Sequence, residues 1–357
     1  MEKQTKNKRG VILNNVVFLT NDKEIEKQFK EIEIVAKNVF FCRDLINEPA
    51  NVLYPESFVK IIKEMEKIGV EIEIFDKNQL EKMGANALLS VNQGSDNSPY
   101  MVVMKYNGGK SGEKPLAFVG KGVCFDSGGL SLKPSTGGSM EMKCDMSGAG
   151  VVVSLIKLLA ERKAKVNAVG CVALVENMPS GSATKVQDIV KALSGQTIEI
   201  LNTDAEGRMI LADALYYTST TFNPSVMIDL ATLTGAICIA LGDRFAGLFS
   251  NNNDLIDELK NAGIDTGEQV WSMPLTDNYD KLIDSDWADM KNVGGKDAGS
   301  ITAAMFLRRH IAGHTKWAHI DIAATAFVSK EIYFVNKGGT GWGVRLLNEF
   351  IKKNYEK

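Results

Sequence analysis

The sequence predicts an α/β fold in which a mostly parallel, doubly wound sheet is flanked by helices. Apolar runs that read as buried strands recur along the chain as "VEIEIF", "YMVVMKY", "PLAFVGK", "VNAVGCVAL", "TIEILNT", "SVMIDLA" and "FAGLFS". Helical patterns lie between several of them, chiefly "MEMKCDMSGAGVVVSLIKLLAERK", "MILADALYYTST" and "NDLIDELKNA". Strands that alternate with helices imply parallel pairing with both sheet faces covered. Ahead of the first run, residues 24 to 47 form an amphipathic pattern that Pro49 and Pro55 interrupt, so a helical linker precedes the sheet. The polar, irregular stretch from Asp277 to Gly299 is expected to be a long loop region near a site or an interface.

Composition narrows the classes of function. The 357 residues are 45% hydrophobic with a formal charge of -3, which fits a globular core and leaves no basic surplus for nucleic acid. Five cysteines, Cys42, Cys124, Cys144, Cys171 and Cys238, form no C-x-x-C pair and give an odd number, so neither a disulfide framework nor a zinc ribbon is expected. The basic start "MEKQTKNKRG" is not followed by a signal-like apolar segment, and nowhere do eighteen uncharged apolar residues run together. These features predict a cytoplasmic chain with no membrane partner.

The chemistry gathers at expected strand ends, where an open parallel sheet forms its ligand crevice. "TIEILNT" leads into Asp204, Glu206 and Arg208, and alternate residues of an extended segment would aim both carboxylates at one point. "PLAFVGK" runs into a glycine-rich turn that carries Lys121, Asp126 and Lys133, and Asp145 follows near the start of a long helix. An isolated aspartate is ordinarily a helix cap or a solvated loop charge. Four acids at three such loops require a counter-charge, because one uncompensated buried charge costs several kcal/mol. Two divalent cations would balance Asp126, Asp145, Asp204 and Glu206. Lys121 is then expected to be a neutral amine ligand with its pKa pushed down by the metals, leaving Lys133 and Arg208 as the site's positive charge. Such a centre suits hydrolysis, in which an activated water attacks and cations hold the developing oxyanion.

Histidine does not compete for this role. His310, His314 and His319 lie far from the acids in sequence and no H-E-x-x-H is present, so structural or surface roles are expected for them. Oxygen ligands with one amine make a hard site, which Mn²⁺ and Mg²⁺ suit as well as Zn²⁺ does. Dinucleotide, Walker A and S-x-x-K patterns are all incomplete.

With "VGKGVCFDSGG", "SLKPSTGGSMEMKCDMSGAG", "ENMPSGSATK" and "NTDAEGRMILADAL" on the page, the chain closely resembles the leucyl (cytosol) aminopeptidases, dinuclear metallopeptidases of the M17 type. The likeness runs from "RDLINEPAN" through "WAHIDIAATAF" to "GGTGWGVRLLNEF". It implies that Lys121, Asp126, Asp145, Asp204 and Glu206 are the ligands of two divalent ions, Zn²⁺ or Mn²⁺ first, with Mg²⁺ or Co²⁺ as alternatives. Asp126 and Glu206 would touch both ions. Lys133 looks like the electrophile that polarises the scissile carbonyl, and Arg208 like the holder of a bicarbonate that acts as general base. Met142, Thr232, Gly235 and Ala326 match positions lining the side-chain pocket, while Asn202 and Leu233 match positions near the substrate backbone.

From the same likeness follow a stub and linker helix over residues 1–55, a catalytic domain over residues 56–357, and a homo-hexameric assembly. The likeness would also have the smaller N-terminal α/β domain usual in the family missing from a short lineage or cut from a fragment, and "SATKVQD" stands where the family usually has Pro-Gly before the aspartate. The expected activity is hydrolysis of N-terminal, preferably large apolar, residues from peptides with a free N-terminus, by a hydroxide that two metals activate. A two-metal phosphoesterase and a non-catalytic scaffold of the same fold are the alternatives. Lysine as a ligand and the absence of a site histidine weigh against the first, and the intact chemical positions weigh against the second.

Overall fold

Most of the apolar runs become strands of one large sheet, and the periodic stretches become helices on its two faces. The computed structural model describes residues 15–17, 19–22, 24–134, 137–332 and 335–356, so the basic start of the chain lies outside the described residues. In chain order the strands are β1 (Glu71–Phe75), β2 (Tyr100–Asn107), β3 (Leu116–Asp126), β4 (Asn167–Asn177), β5 (Ile189–Lys191), β6 (Thr197–Glu199) and β7 (Val226–Ala231). They continue with β8 (Ala246–Ser250), β9 (Val270–Ser272), β10 (Met290–Lys291), β11 (Lys316–Asp321), β12 (Phe327–Val328) and β13 (Gly338–Gly339). The helices are α1 (Ile25–Asn47), α2 (Pro55–Lys63), α3 (Lys77–Met83), α4 (Asn86–Asn92), α5 (Ser147–Glu161) and α6 (Gly207–Phe222). After these come α7 (Gly235–Leu241), α8 (Asn253–Thr266), α9 (Asp277–Asp280), α10 (Gly299–Arg308) and α11 (Val344–Asn354).

The main sheet has the order β1-β2-β4-β3-β7-β11-β8-β9. Its centre is parallel, from β4 through β3 and β7 to β11. Antiparallel pairs join β1 to β2, β2 to β4 and β11 to β8, and the edge pair β8–β9 is parallel again. Side chains alternate across the pleat. Phe118 of β3 therefore belongs to the core that also holds Ile46 of α1, Leu155 of α5 and Phe350 of α11, whereas its neighbour Val119 belongs to the opposite core, with Leu88 of α4, Ile210 of α6 and Phe306 of α10. Burying each such side chain stabilises the fold by about 1.5–3 kcal/mol.

Close packing of α5 on the sheet depends on backbone meeting backbone. A Cβ on Gly148 would lie 2.1 Å from the Leu230 carbonyl oxygen, and one on Gly120 would lie 2.7 Å from the Ala149 Cα. Any larger residue would push the start of α5, and the acid just before it, away from β3.

Three elements differ from the sequence expectation. "TIEILNT" supplies no strand to the main sheet; only Thr197–Glu199 is extended, within a small sheet of order β10-β6-β5. Its apolar character comes instead from Ile198 and Ile200, which bury against the α6-side core from an outer layer. The helix expected from "MEMKCDMSGAG" is split into a 3₁₀ segment at Gly137–Cys144, with Glu141 outside helical geometry, and α5 from Ser147. Within the expected loop at 277–299 lie α9, a 3₁₀ turn at Lys281–Ile283 and β10.

His310 follows α10 and is buried, with Nδ1 3.1 Å from Ser194 Oγ and no partner for Nε2, while His314 is exposed. Burial, helped by the Arg309 charge, pushes His310 down from 6.5 to about 3. Between those values the unfolded chain binds the extra proton, so stability is lost as pH falls below the ordinary value, by about 2 kcal/mol at pH 5. His310→Phe is expected to remove that loss. Urea unfolding of both proteins at pH 7 and pH 5 checks it, and parallel changes in the two would contradict the assignment.

Candidate functional site

Three strand ends and two helix starts converge at one edge of the sheet. β3 contributes Lys121 from its interior and Asp126 at its last position, and β4 ends on Asn177, the register partner of Asp126. Thr232 follows β7, Asp145 sits between the 3₁₀ segment and α5, and Glu206 is the N-cap residue of α6. The sequence expectation that Asp204 and Glu206 share a side through strand alternation does not hold, because Glu206 already has helical φ −81° and ψ −36°. A turn and a helix start present these two acids in place of a pleat.

Carboxylate oxygens of Asp126, Asp145 and Glu206 lie within 4.8 Å of one another, and all three residues are buried. Lys121 reaches into this group, with its Nζ 2.8 Å from Asp145 Oδ1 and 2.7 Å from Glu206 Oε1 while donating to the Thr232 carbonyl at 2.7 Å. Asp204 stands on the outer side with its side chain 32% exposed. Lys133 Nζ bridges it at 2.5 Å to Asp126 Oδ2 at 2.8 Å. Asp145 Oδ2 has no hydrogen-bond partner, and Glu206 Oε1 and Asp204 Oδ1 meet the ammonium heads outside hydrogen-bond geometry. These free acceptor positions are what a hard cation requires.

Electrostatics reports the same deficit. With all four ionised, the carboxylates exceed the ammonium groups of Lys121 and Lys133 by two negative charges. Burial and the Glu206 charge push Asp126 up to about 7 against the pull of Lys133 and Lys121. Burial likewise raises Asp145 and Asp204. Glu206 would rise by burial too, but contact with Lys121 outweighs this and holds it below the usual range. For Lys121, burial acts downward, yet Asp145 and Glu206 outweigh it and the net shift is upward. Among its protein neighbours alone Lys121 is thus held as an ammonium, because the carboxylates supply the local field; the neutral amine expected from the sequence refers to the metal-loaded site. Only bound cations would reverse the sign.

Arg208 is buried on the first turn of α6, where its Nη1 donates to the Asn292 carbonyl at 2.8 Å and Nε has no partner. Burial lowers it to about 10, so it stays charged at neutral pH. Thr232 donates its hydroxyl to Asp145 Oδ1 at 2.7 Å. Leu233 N–H donates to Asp321 Oδ1 at 3.1 Å, and a Cβ on Gly235 would meet nothing within 4 Å. Met142 is half-buried in the 3₁₀ segment, and Ala326 is buried with its carbonyl accepting from Thr340. Asn202 Oδ1 accepts from the Asp204 N–H at 2.9 Å.

Sequence reasoning missed the residues that hold this arrangement. Asn177 Nδ2 donates to Asp126 Oδ1 at 2.8 Å and to the Thr203 carbonyl at 3.0 Å, and Gly128 N–H donates to the same Asp126 oxygen at 2.9 Å. Thr203 Oγ1 donates to the Gly128 carbonyl at 2.6 Å and accepts from Ser131 N–H at 2.8 Å. The loop carrying Lys133 is thereby stitched to the loop carrying Asp204. An asparagine at the end of the apolar run in "VENMPSG" was the available signal. His319 and Asp321 support the sheet: His319 Nδ1 lies 2.6 Å from Asp229 Oδ1, and Asp321 accepts from Thr234 Oγ1 at 2.7 Å.

The profile of the cytosol aminopeptidase family, catalytic domain, matches residues 40–348. The chain belongs to the cytosol aminopeptidase family. A probable cytosol aminopeptidase of Nitrobacter winogradskyi is 56% identical over 331 residues, covering 93% of this chain and 66% of that protein. One of Phytoplasma mali is 53% identical over the whole chain and 72% of its own length. This member of the family thus spans about two thirds of the length of the relatives it matches. Among solved structures, the bottromycin maturation enzyme BotP in complex with Mn superposes with a TM-score of 0.87 at 36% identity, covering 92% of this chain and 72% of BotP.

A Cβ on Gly207 would fall 2.6 Å from Lys121 Cε and 2.7 Å from its Nζ. With three partners around its head, Lys121 has nowhere to retreat. Gly207→Ala is therefore expected to weaken Mn²⁺ binding by about tenfold with the far-ultraviolet dichroism unchanged. Calorimetric titration checks this; unaltered affinity would mean the Lys121 head is free to move.

Proposed function

We propose that this chain is the catalytic part of a metal-dependent aminopeptidase that removes N-terminal, preferably large apolar, residues from peptides. The observation that carries this reading is the buried group of Asp126, Asp145 and Glu206 around Lys121, with free acceptor oxygens and two unbalanced negative charges. Lys121, Asp126, Asp145, Asp204 and Glu206 would hold two divalent ions, Zn²⁺ or Mn²⁺ first. BotP, which has been solved with Mn, supports the choice of a divalent ion. When bound, the ions would supply Lewis acidity and an activated water.

The chain's own groups provide the remainder. Lys133, with its side chain 19% exposed at the mouth of the site, is the ammonium that faces the scissile carbonyl and steadies negative charge as it develops there. Arg208, fixed by the Asn292 carbonyl, would hold an anion such as bicarbonate, which when bound would supply acid–base chemistry for the departing amine. Thr232, Gly235, Met142 and Ala326 shape the side-chain pocket, in which the missing side chain of Gly235 leaves room for a bulky apolar residue. Asn202 and Leu233 lie along the substrate backbone. A free α-amino group is selected because an amine is a better metal ligand than a planar peptide nitrogen. We further propose a cytoplasmic homo-hexamer; among the described residues no helix is long and apolar enough to cross a membrane.

Chelation with a strong chelator is expected to abolish turnover of a leucine anilide, and Mn²⁺ or Zn²⁺ to restore it, while a phosphomonoester stays uncleaved throughout. Turnover that survives chelation would sink this reading. Lys133→Met is expected to lower kcat by about a hundredfold with little change in metal affinity. A variant with full kcat would remove Lys133 from that role.

A further inference from the structure

The metal-ligand loop begins where a strand ladder stops, and one side chain takes over from the ladder. β10 pairs parallel with β6, so that Met290 lies beside Ile198 and Lys291 beside Glu199. Asn292 extends the ladder by one bond, donating its N–H to the Glu199 carbonyl at 2.9 Å. Beyond that point the chain turns toward Asp204 and has no neighbouring strand. The Asn292 side chain supplies the missing partners: its Oδ1 accepts from Leu201 N–H at 2.8 Å and from Asn202 N–H at 3.3 Å, and its Nδ2 donates to the Asn202 carbonyl at 2.7 Å. The residue is 1% exposed.

Two consequences meet at this one position. Asn202, pinned through its backbone, uses its own Oδ1 to accept from Asp204 N–H at 2.9 Å, which sets the entry into the Asp204–Glu206 turn. At the same time the Asn292 carbonyl accepts from Arg208 Nη1 at 2.8 Å. We propose that Asn292 is a positioning residue that fixes the metal-ligand loop and the Arg208 guanidinium relative to each other. The proposal rests on the aminopeptidase reading for the role of the site, but its own content is the placement of Asp204, Glu206 and Arg208. Neither aspartate nor alanine can replace it: aspartate loses the donor to the Asn202 carbonyl and buries a charge, and alanine leaves the Leu201 and Asn202 N–H groups unpaired and the Asn202 carbonyl with the Ala205 N–H alone.

The test compares Asn292→Ala and Asn292→Asp with a control in the same small sheet. Asp289 Oδ2 accepts from Thr197 N–H and Oγ1 at 2.7 Å each, so Asp289→Ala loosens β6 without touching any bond of Asn292. Mn²⁺ affinity is read by titration calorimetry, and kcat and KM on a leucine anilide are read separately. Both Asn292 variants are expected to bind Mn²⁺ about tenfold more weakly and to lose kcat more than KM changes, while Asp289→Ala keeps metal affinity and kcat. Wild-type metal affinity in Asn292→Asp, the variant closest in shape, would overturn the proposal. Equal losses in Asp289→Ala would overturn it too, because they would trace the effect to general loosening of the small sheet. A wild-type protein that binds Mn²⁺ but cleaves no anilide would sink the aminopeptidase reading, leaving the metal titrations to decide on Asn292.

Discussion

Mutual repulsion among carboxylates that the fold forces together is the constraint around which the site is organised. Asp126, Asp145 and Glu206 arrive from a strand end, a pre-helical turn and a helix N-cap, and their packing against one another is set by elements whose cores lie elsewhere. Moving one acid out would mean moving β3, α5 or α6. The strain of like charge is therefore carried by the whole sheet, and Lys121 and Lys133 offset half of it. Burial, together with the neighbouring carboxylate charge, still raises Asp126 and Asp145 against the pull of the lysines. A site of this kind is poised for cations because protonation and metal binding compete for the same excess of negative charge.

Uncharged side chains behind the acids keep them in register. Asn177, Thr203 and Ser131 tie three loops to one another, and Thr232 spans Asp145 and Lys121 through its hydroxyl and its carbonyl. Each is buried or nearly so, and each hydrogen bond in this layer joins segments distant in sequence, as Thr232 and Asp145 are. Removing one would leave a partner unpaired in the interior, which costs about 1–3 kcal/mol and frees a carboxylate to rotate. Deeper still, Asp229 receives the Trp317 indole N–H at 2.7 Å and pairs with His319, so the floor beneath the site is polar but well connected.

Much of this was readable from residue types alone. The repeated apolar runs gave most of the main-sheet strands, and the acids of "NTDAEGR" and "GVCFDSGG" stood out because isolated charges seldom gather at successive strand ends. The remote histidines were set aside correctly, since His310 and His319 are buried supports and His314 is exposed. What escaped notice has a common physical cause. Asn177, Thr203 and Asn292 are ordinary polar residues whose importance lies in partners 26 to 91 positions away, and apart from the place of Asn177 at the end of an apolar run nothing local marks them. The misplaced strand at "TIEILNT" has a related cause, because apolar periodicity reports burial without saying which layer does the burying.

The sequence by itself determined the kinds of atoms available for chemistry: oxygen acceptors and amines at strand ends, with no histidine or paired cysteine to make a softer site. Composition and periodicity also determined that a covered sheet would carry them, because apolar runs of strand length must be buried on both faces. Tertiary structure alone decided which of the acids share a centre, that the Lys121 head reaches in among them, and that Asp204 stands at the rim. Distance and desolvation fix those outcomes, and both depend on how closely α5 and α6 approach β3, which glycines at Gly148 and Gly207 permit and no local pattern measures.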